Sequence, residues 1–179
     1  MHPYSPPFTF LAPIAVSSLH SKDKLKDAVE DCLAVSPAGV CPNVMRSPIG
    51  EWDVSNITDM YGIFSKAKLF NQDVSKWDVS KVTNIFGMFY SAESFNQDVS
   101  KWDVSEVTDM GGMFFQAESF NQDVSNWDVS KVTSMIYMFF YTTNFNHTLR
   151  GNAWLCSKAD KSLMFQSSGG SISDAECGG

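Results

Sequence analysis

The chain has 179 residues, a formal net charge of -7, and 44% hydrophobic residues. That length allows one compact domain, and the apolar content is too high for a disordered chain. The acidic balance argues against a nucleic-acid partner, because phosphate recognition needs a clustered basic face.

Residues 1–18 read as a leader. Phe8 to Val16 is a short apolar run followed by Ser17 and Ser18, but only His2 precedes it where a secretory signal carries basic residues. No stretch is long enough to span a bilayer as a helix. Residues 19–48 read as an N-terminal helical cap. Leu25, Ala28, Val29, Cys32 and Leu33 recur at helical spacing over Lys22 to Val35, with Ser21 placed to accept a free backbone N–H. Ser36-Pro-Ala-Gly39 ends that helix.

Residues 49–149 repeat. Trp52, Trp77, Trp102 and Trp127 fall 25 residues apart, and Phe64, Phe89, Phe114, Phe139 and Phe70, Phe95, Phe120, Phe145 keep the same step. Asn71, Asn96, Asn121 and Asn146 do likewise. Within one unit, Trp77 and Val79 have the period-two spacing of a short strand whose other face carries Asp78 and Ser80. Val82, Ile85, Met88, Phe89 and Ala92 then follow at three-to-four spacing, which predicts a short helix. A lone unit cannot bury its apolar face, so the units must stack. The expectation is an α/β solenoid, a leucine-rich-repeat-like right-handed coil of short parallel strands and short helices, capped at both ends. Trp, Phe and Met rows then form the core, and the Asn row bonds backbone groups of the adjacent coil. Residues 150–179, where the repeat decays and Trp154 arrives 27 residues after Trp127, read as a C-terminal cap and tail.

Cys32, Cys41, Cys156 and Cys177 lie outside the repeats. Their spacing is not that of a zinc site, and proximity suggests Cys32–Cys41 and Cys156–Cys177 among the three possible pairings.

The unit Phe-Asn-Gln-Asp-Val-Ser-Lys-Trp-Asp-Val-Ser-Lys-Val-Thr resembles the bacterial surface-protein repeat of about 26 residues grouped with BspA-like leucine-rich repeat proteins. The resemblance implies a secreted or surface-attached protein with an adhesion or recognition role. Two departures bear on the carry-over. Ile57, Val82, Val107 and Val132 stand where the family's strand motif is followed by asparagine, which implies a different curvature, and no wall-anchoring tail is recognisable.

Candidate sites lie on the outer positions. Asp53, Asp78, Asp103 and Asp128 form one carboxylate ladder, and Asp73, Asp98 and Asp123 form another. Such ladders suit either hydrogen bonding to nearby Ser and Thr or a calcium ion, but no calcium nonapeptide or dense Asp-x-Asp run is present. The reading is therefore no metal and no cofactor. Lys76, Lys101 and Asn126, together with the first Asp ladder, are the candidate binding residues of an exposed strand face. Identical carboxylates do not supply an acid and a base, and His2, His20 and His147 have no nucleophile nearby in the sequence, so no catalytic residues are expected. Asn56-Ile-Thr58 and Asn146-His-Thr148 fit the glycosylation pattern but fall within the repeat and read as chance. The functional expectation is a non-enzymatic, extracellular or cell-surface module, monomeric, that binds a protein or glycan. The alternatives are a self-assembling structural repeat and a calcium-dependent carbohydrate binder.

Overall fold

A computed structural model describes residues 19–41 and 47–177. The leader and its signal-like run lie outside these residues. Helix α1 spans Lys22–Val35, capped by the Ser21 hydroxyl accepting the Lys24 N–H, and its buried residues are Leu25, Ala28, Val29 and Cys32. These agree with its sequence spacing.

The repeats correct the expected architecture. No coil of repeated strands and helices forms. Among the described residues the remaining regular elements are a single 3-10 turn at Ile49–Glu51, strand β1 at Thr148–Leu149, the one-turn helix α2 at Asn152–Leu155, and strand β2 at Ser171–Ile172. Strands β1 and β2 pair in parallel, Thr148 with Ser171 and Leu149 with Ile172. Each repeat is instead a chain of tight turns. In the first, the N–H groups of Ile57, Ile63, Ser65, Ala67 and Phe70 each donate to the carbonyl three residues back. The segment with helical spacing cannot become a helix, because every fourth residue turns left-handed: Gly62 at φ 62° and Lys66 at φ 65° in the first unit, Gly87 at 59° and Ser91 at 54° in the second. A left-handed residue at the third position of a turn is the type II arrangement, and it favours glycine.

The remaining backbone N–H groups bond between units. Those of Met60, Gly62, Phe64 and Lys66 donate to the carbonyls of Asn84, Phe86, Met88 and Tyr90 at 2.6–3.0 Å. The same four-bond pattern recurs from Ile85, from Met110 and from Met135 onward. Single parallel bridges link Asp59, Asn84, Asp109, Ser134 and Asp160 in sequence. Units therefore stack through isolated backbone pairs, without the run of pairs that makes a strand.

Side chains fill the stack as the repeats predict. Phe64, Phe89, Phe114 and Phe139 stack at 5.4–5.7 Å between ring centroids, and Phe70, Phe95, Phe120 and Phe145 at 6.0–6.1 Å. All eight are buried, as are the Met residues between them. Each tryptophan is also buried; the Trp52 indole N–H donates to the nearby Ser47 carbonyl, and those of the later units donate to a carbonyl of the preceding unit, Trp77 to Ile49 at 2.9 Å, Trp102 to Val74 and Trp127 to Val99 at 3.1 Å. The same carbonyls also accept the backbone N–H groups of Trp52, Trp77 and Trp102, so the indole adds a second bond that ties each unit to the one before and that phenylalanine could not make. In the asparagine row, Asn71 Oδ1 accepts from the backbone N–H of Asn96 and from the Gln97 amide, and Asn96 does the same for Asn121 and Gln122.

Residues 150–172 continue this geometry. Trp154 donates to the Val124 carbonyl, Phe165 stacks on Phe139 at 5.6 Å, and Leu163 and Ser167 take the left-handed conformations of Tyr137 and Tyr141 one unit earlier. The other end is covered by α1, where Lys26 Nζ donates to the Gly62 carbonyl at 2.7 Å and Lys22 pairs with Asp59 at 3.0 Å. Cys32 is bonded to Cys41 and Cys156 to Cys177.

Candidate binding face

Short polar residues start the turns. Asp53, Asp78, Asp103 and Asp128 each accept from the backbone N–H two residues on, that of Ser55, Ser80, Ser105 or Ser130, at 3.0–3.1 Å. Asp73, Asp98 and Asp123 do the same with Ser75, Ser100 and Ser125 at 2.8–2.9 Å. This bond offers the backbone a turn in place of a helix. The serine hydroxyl and then the serine amide hold Asp53, Asp73, Asp78, Asp98, Asp123 and Asp128 below the usual carboxylate range.

The seven carboxylates are exposed but already engaged. Among the described residues, no group of three or more His, Cys, Asp or Glu side chains is gathered to hold a metal ion. Lys76 is exposed and pairs with Glu51 at 2.6 Å, and Lys131 pairs with Glu106 at the same distance. Lys101 and Asn126 are exposed, with no side-chain bond among the described residues. The structure brings these candidates to one edge beside the tryptophan row, with no strand beneath them. Asn56 and Asn146 are also exposed, because the turns carry these polar positions outward from the core. His20 is exposed, His147 Nε2 lies 3.1 Å from the Asn121 carbonyl, and His2 lies outside the described residues.

A second surface was not singled out by sequence reasoning. Outside the core, Tyr90, Phe115 and Phe140 form a further stacked row at 4.7 and 5.0 Å, and Tyr61 stacks on Phe86 at 5.4 Å. Tyr137 and Tyr141 stand edge-on against Phe140. Tyr61, Phe86, Tyr137 and Tyr141 are each more than a third exposed. The signal was available: aromatic residues at 61, 86, 90, 115 and 140 are left over once the core rows are assigned. Asp109 stands beside Phe86 and Lys66 lines the same surface as Tyr90, whereas Gln116 and Ile136, next to Phe115 and Tyr137 in the sequence, carry no charge. A contiguous exposed apolar patch of this kind marks an interaction surface more often than a lone exposed side chain does.

Turn-built units stacked on a shared aromatic core, tied near each end by a disulfide, define a repeat protein. The chain belongs to the family described as Mycoplasma protein of unknown function, DUF285, whose model matches residues 39–154. No curated protein and no solved structure matches it.

Proposed function

We propose that this is a non-catalytic, extracellular or surface-exposed binding module that holds a protein partner on its outer aromatic face. The observation that carries this reading is the aromatic patch containing Tyr90, Phe115, Tyr137, Phe140 and Tyr141 on a hydrogen-bonded stack. Aromatic anchors on a fixed scaffold supply contact area at low ordering cost. The two disulfides support an oxidising compartment, and no helix among the described residues is long and apolar enough to cross a membrane. The family supports a surface role through its relation to BspA-like repeat proteins.

The charged edge of Asp53, Asp78, Asp103, Asp128, Lys76, Lys101 and Asn126 is the weaker candidate, because its carboxylates are committed to turns. The test is retention of the labelled chain on immobilised extracellular-matrix proteins. The Phe115→Ser/Phe140→Ser double variant is expected to lose retention while its far-ultraviolet spectrum is kept. Equal retention of variant and parent overturns the reading. The same aromatic face favours self-assembly as a second reading, and sedimentation over a concentration range separates the two, with a monomer expected.

A further inference from the structure

Two Asn-x-Thr motifs, Asn56-Ile-Thr58 and Asn146-His-Thr148, lie within the repeats but outside the core, with Asn56, Thr58, Asn146 and Thr148 all exposed. The fold holds the two differently. Asn146 is the last member of the asparagine row, and its backbone N–H donates to Asn121 Oδ1. A Cβ on Gly169 of the next step would stand 3.4 Å from the Asn146 Cβ, and the Thr148 hydroxyl bonds Ser171 within the β1–β2 pair. Asn56 belongs to no such row. The same position of the later units carries Lys81, Glu106 and Lys131, all exposed, so this turn takes a long side chain outward in every unit.

Pairing does not account for the asparagine. Glu106 reaches Lys131 one unit on at 2.6 Å, and a carboxylate at position 56 would be placed to meet Lys81 in the same way. Asn56 Oδ1 instead lies 3.5 Å from Lys81 Nζ, and the Asn56 amide nitrogen has no partner among the described residues. Thr58 is also unengaged at its hydroxyl. Thr83, Thr108 and Thr133 each donate to the threonine carbonyl one unit earlier at 3.0–3.1 Å, but Thr58 stands in the first unit, and its hydroxyl has no partner among the described residues. An exposed asparagine with a free amide, two residues before an exposed threonine, is the acceptor pattern of N-linked glycosylation in secreted chains. The Cys32–Cys41 and Cys156–Cys177 bonds take up all four cysteines and suit the oxidising compartment in which that transfer occurs. Resting on the extracellular part of the proposed function, we infer that Asn56 carries an N-linked oligosaccharide. The transfer joins Asn56 Nδ2 to the anomeric carbon of an oligosaccharide held on a lipid pyrophosphate. The bond from that carbon to the pyrophosphate oxygen breaks, the lipid pyrophosphate leaves with the electron pair, and the amide gives up one proton.

The experiment recovers the full chain from cells of its source organism and measures its mass before and after peptide N-glycosidase in heavy-oxygen water, with the cysteines counted as thiol or disulfide. Loss of one oligosaccharide is expected, leaving aspartate labelled with heavy oxygen at position 56. Asn56→Gln and Thr58→Val are expected to abolish that loss, whereas Thr58→Ser and Asn146→Gln keep it. Asn56 recovered bare, label at position 146 alone, or an unchanged mass loss in Asn56→Gln overturns the inference. If the bare chain comes with both disulfides formed, the extracellular reading stands and only the modification is wrong; free thiols would sink both.

Discussion

At the scale of single residues, one side-chain atom often decides which residue type repeats. The buried Trp102 indole N–H donates a second hydrogen bond to the Val74 carbonyl 28 residues earlier, which also accepts the Trp77 backbone N–H. Trp102→Phe removes that bond while the carbonyl keeps its backbone donor from Trp77, so a loss of about 0.5–1.5 kcal/mol in urea unfolding is expected. Phe95→Ala, which empties a fully buried ring site between Phe70 and Phe120, is expected to cost more, about 3–5 kcal/mol. The serine–aspartate pairs predict pH dependence. Their carboxyls ionise more readily in the folded chain than in the unfolded one, so they stabilise the fold above the unfolded carboxylate value of about 4. That contribution is lost as pH falls through the lower folded values. The melting temperature is expected to drop on acidification through this window, and Ser80→Ala, by removing the hydroxyl that lowers Asp78, is expected to make the drop shallower.

At the scale of the repeated element, the sequence and structure part company over one segment. The spacing of Val82, Ile85, Met88, Phe89 and Ala92 correctly marks buried positions, and all five are inside. It does not distinguish a helix from successive three-residue turns, since both return a side chain to the core every three or four residues. The distinguishing marks were Gly62, Gly87 and Gly112 inside the would-be helix and Asp59, Asn84 and Asp109 at its start, residues that bend a backbone away from helical bonding. The unit length, the inward rows, α1 and the two cysteine pairs were legible because each is a matter of spacing. The outer aromatic rows at 61 and 86 and at 90, 115 and 140 keep the same 25-residue step, but a reading that assigns every aromatic row to the core passes over them. Backbone handedness gives the element its own test. Gly87→Ala, at φ 59°, is expected to destabilise by about 1–2 kcal/mol, whereas Gln116→Gly, at φ 55° and exposed, is expected to be neutral or slightly stabilising in the same thermal melt.

At the scale of the molecule, the ends carry the constraints that the middle lacks. The Cys32–Cys41 bond closes a separation of 9 residues and Cys156–Cys177 one of 21. Loop-closure entropy assigns them about 2.5 and about 3 kcal/mol respectively, so Cys156→Ser/Cys177→Ser is expected to lower stability slightly more than Cys32→Ser/Cys41→Ser. Thermal melts of the two double variants check the order. A melt with calcium against one with chelator is expected to show no shift, because a bound ion would raise the midpoint by mass action.

Near-identical rungs carry a hazard of slippage. A chain built from interchangeable units can close with its final segment seated one place early, at little cost in core contacts. The irregular last step works against such a misalignment: Ser134 pairs with Asp160 across 26 residues, Trp127 is followed by Trp154 after 27, and Thr142 replaces the alanine of earlier units and bonds the Phe114 carbonyl. Restoring a uniform 25-residue step would remove that lock, and refolding would then partition among alternative alignments.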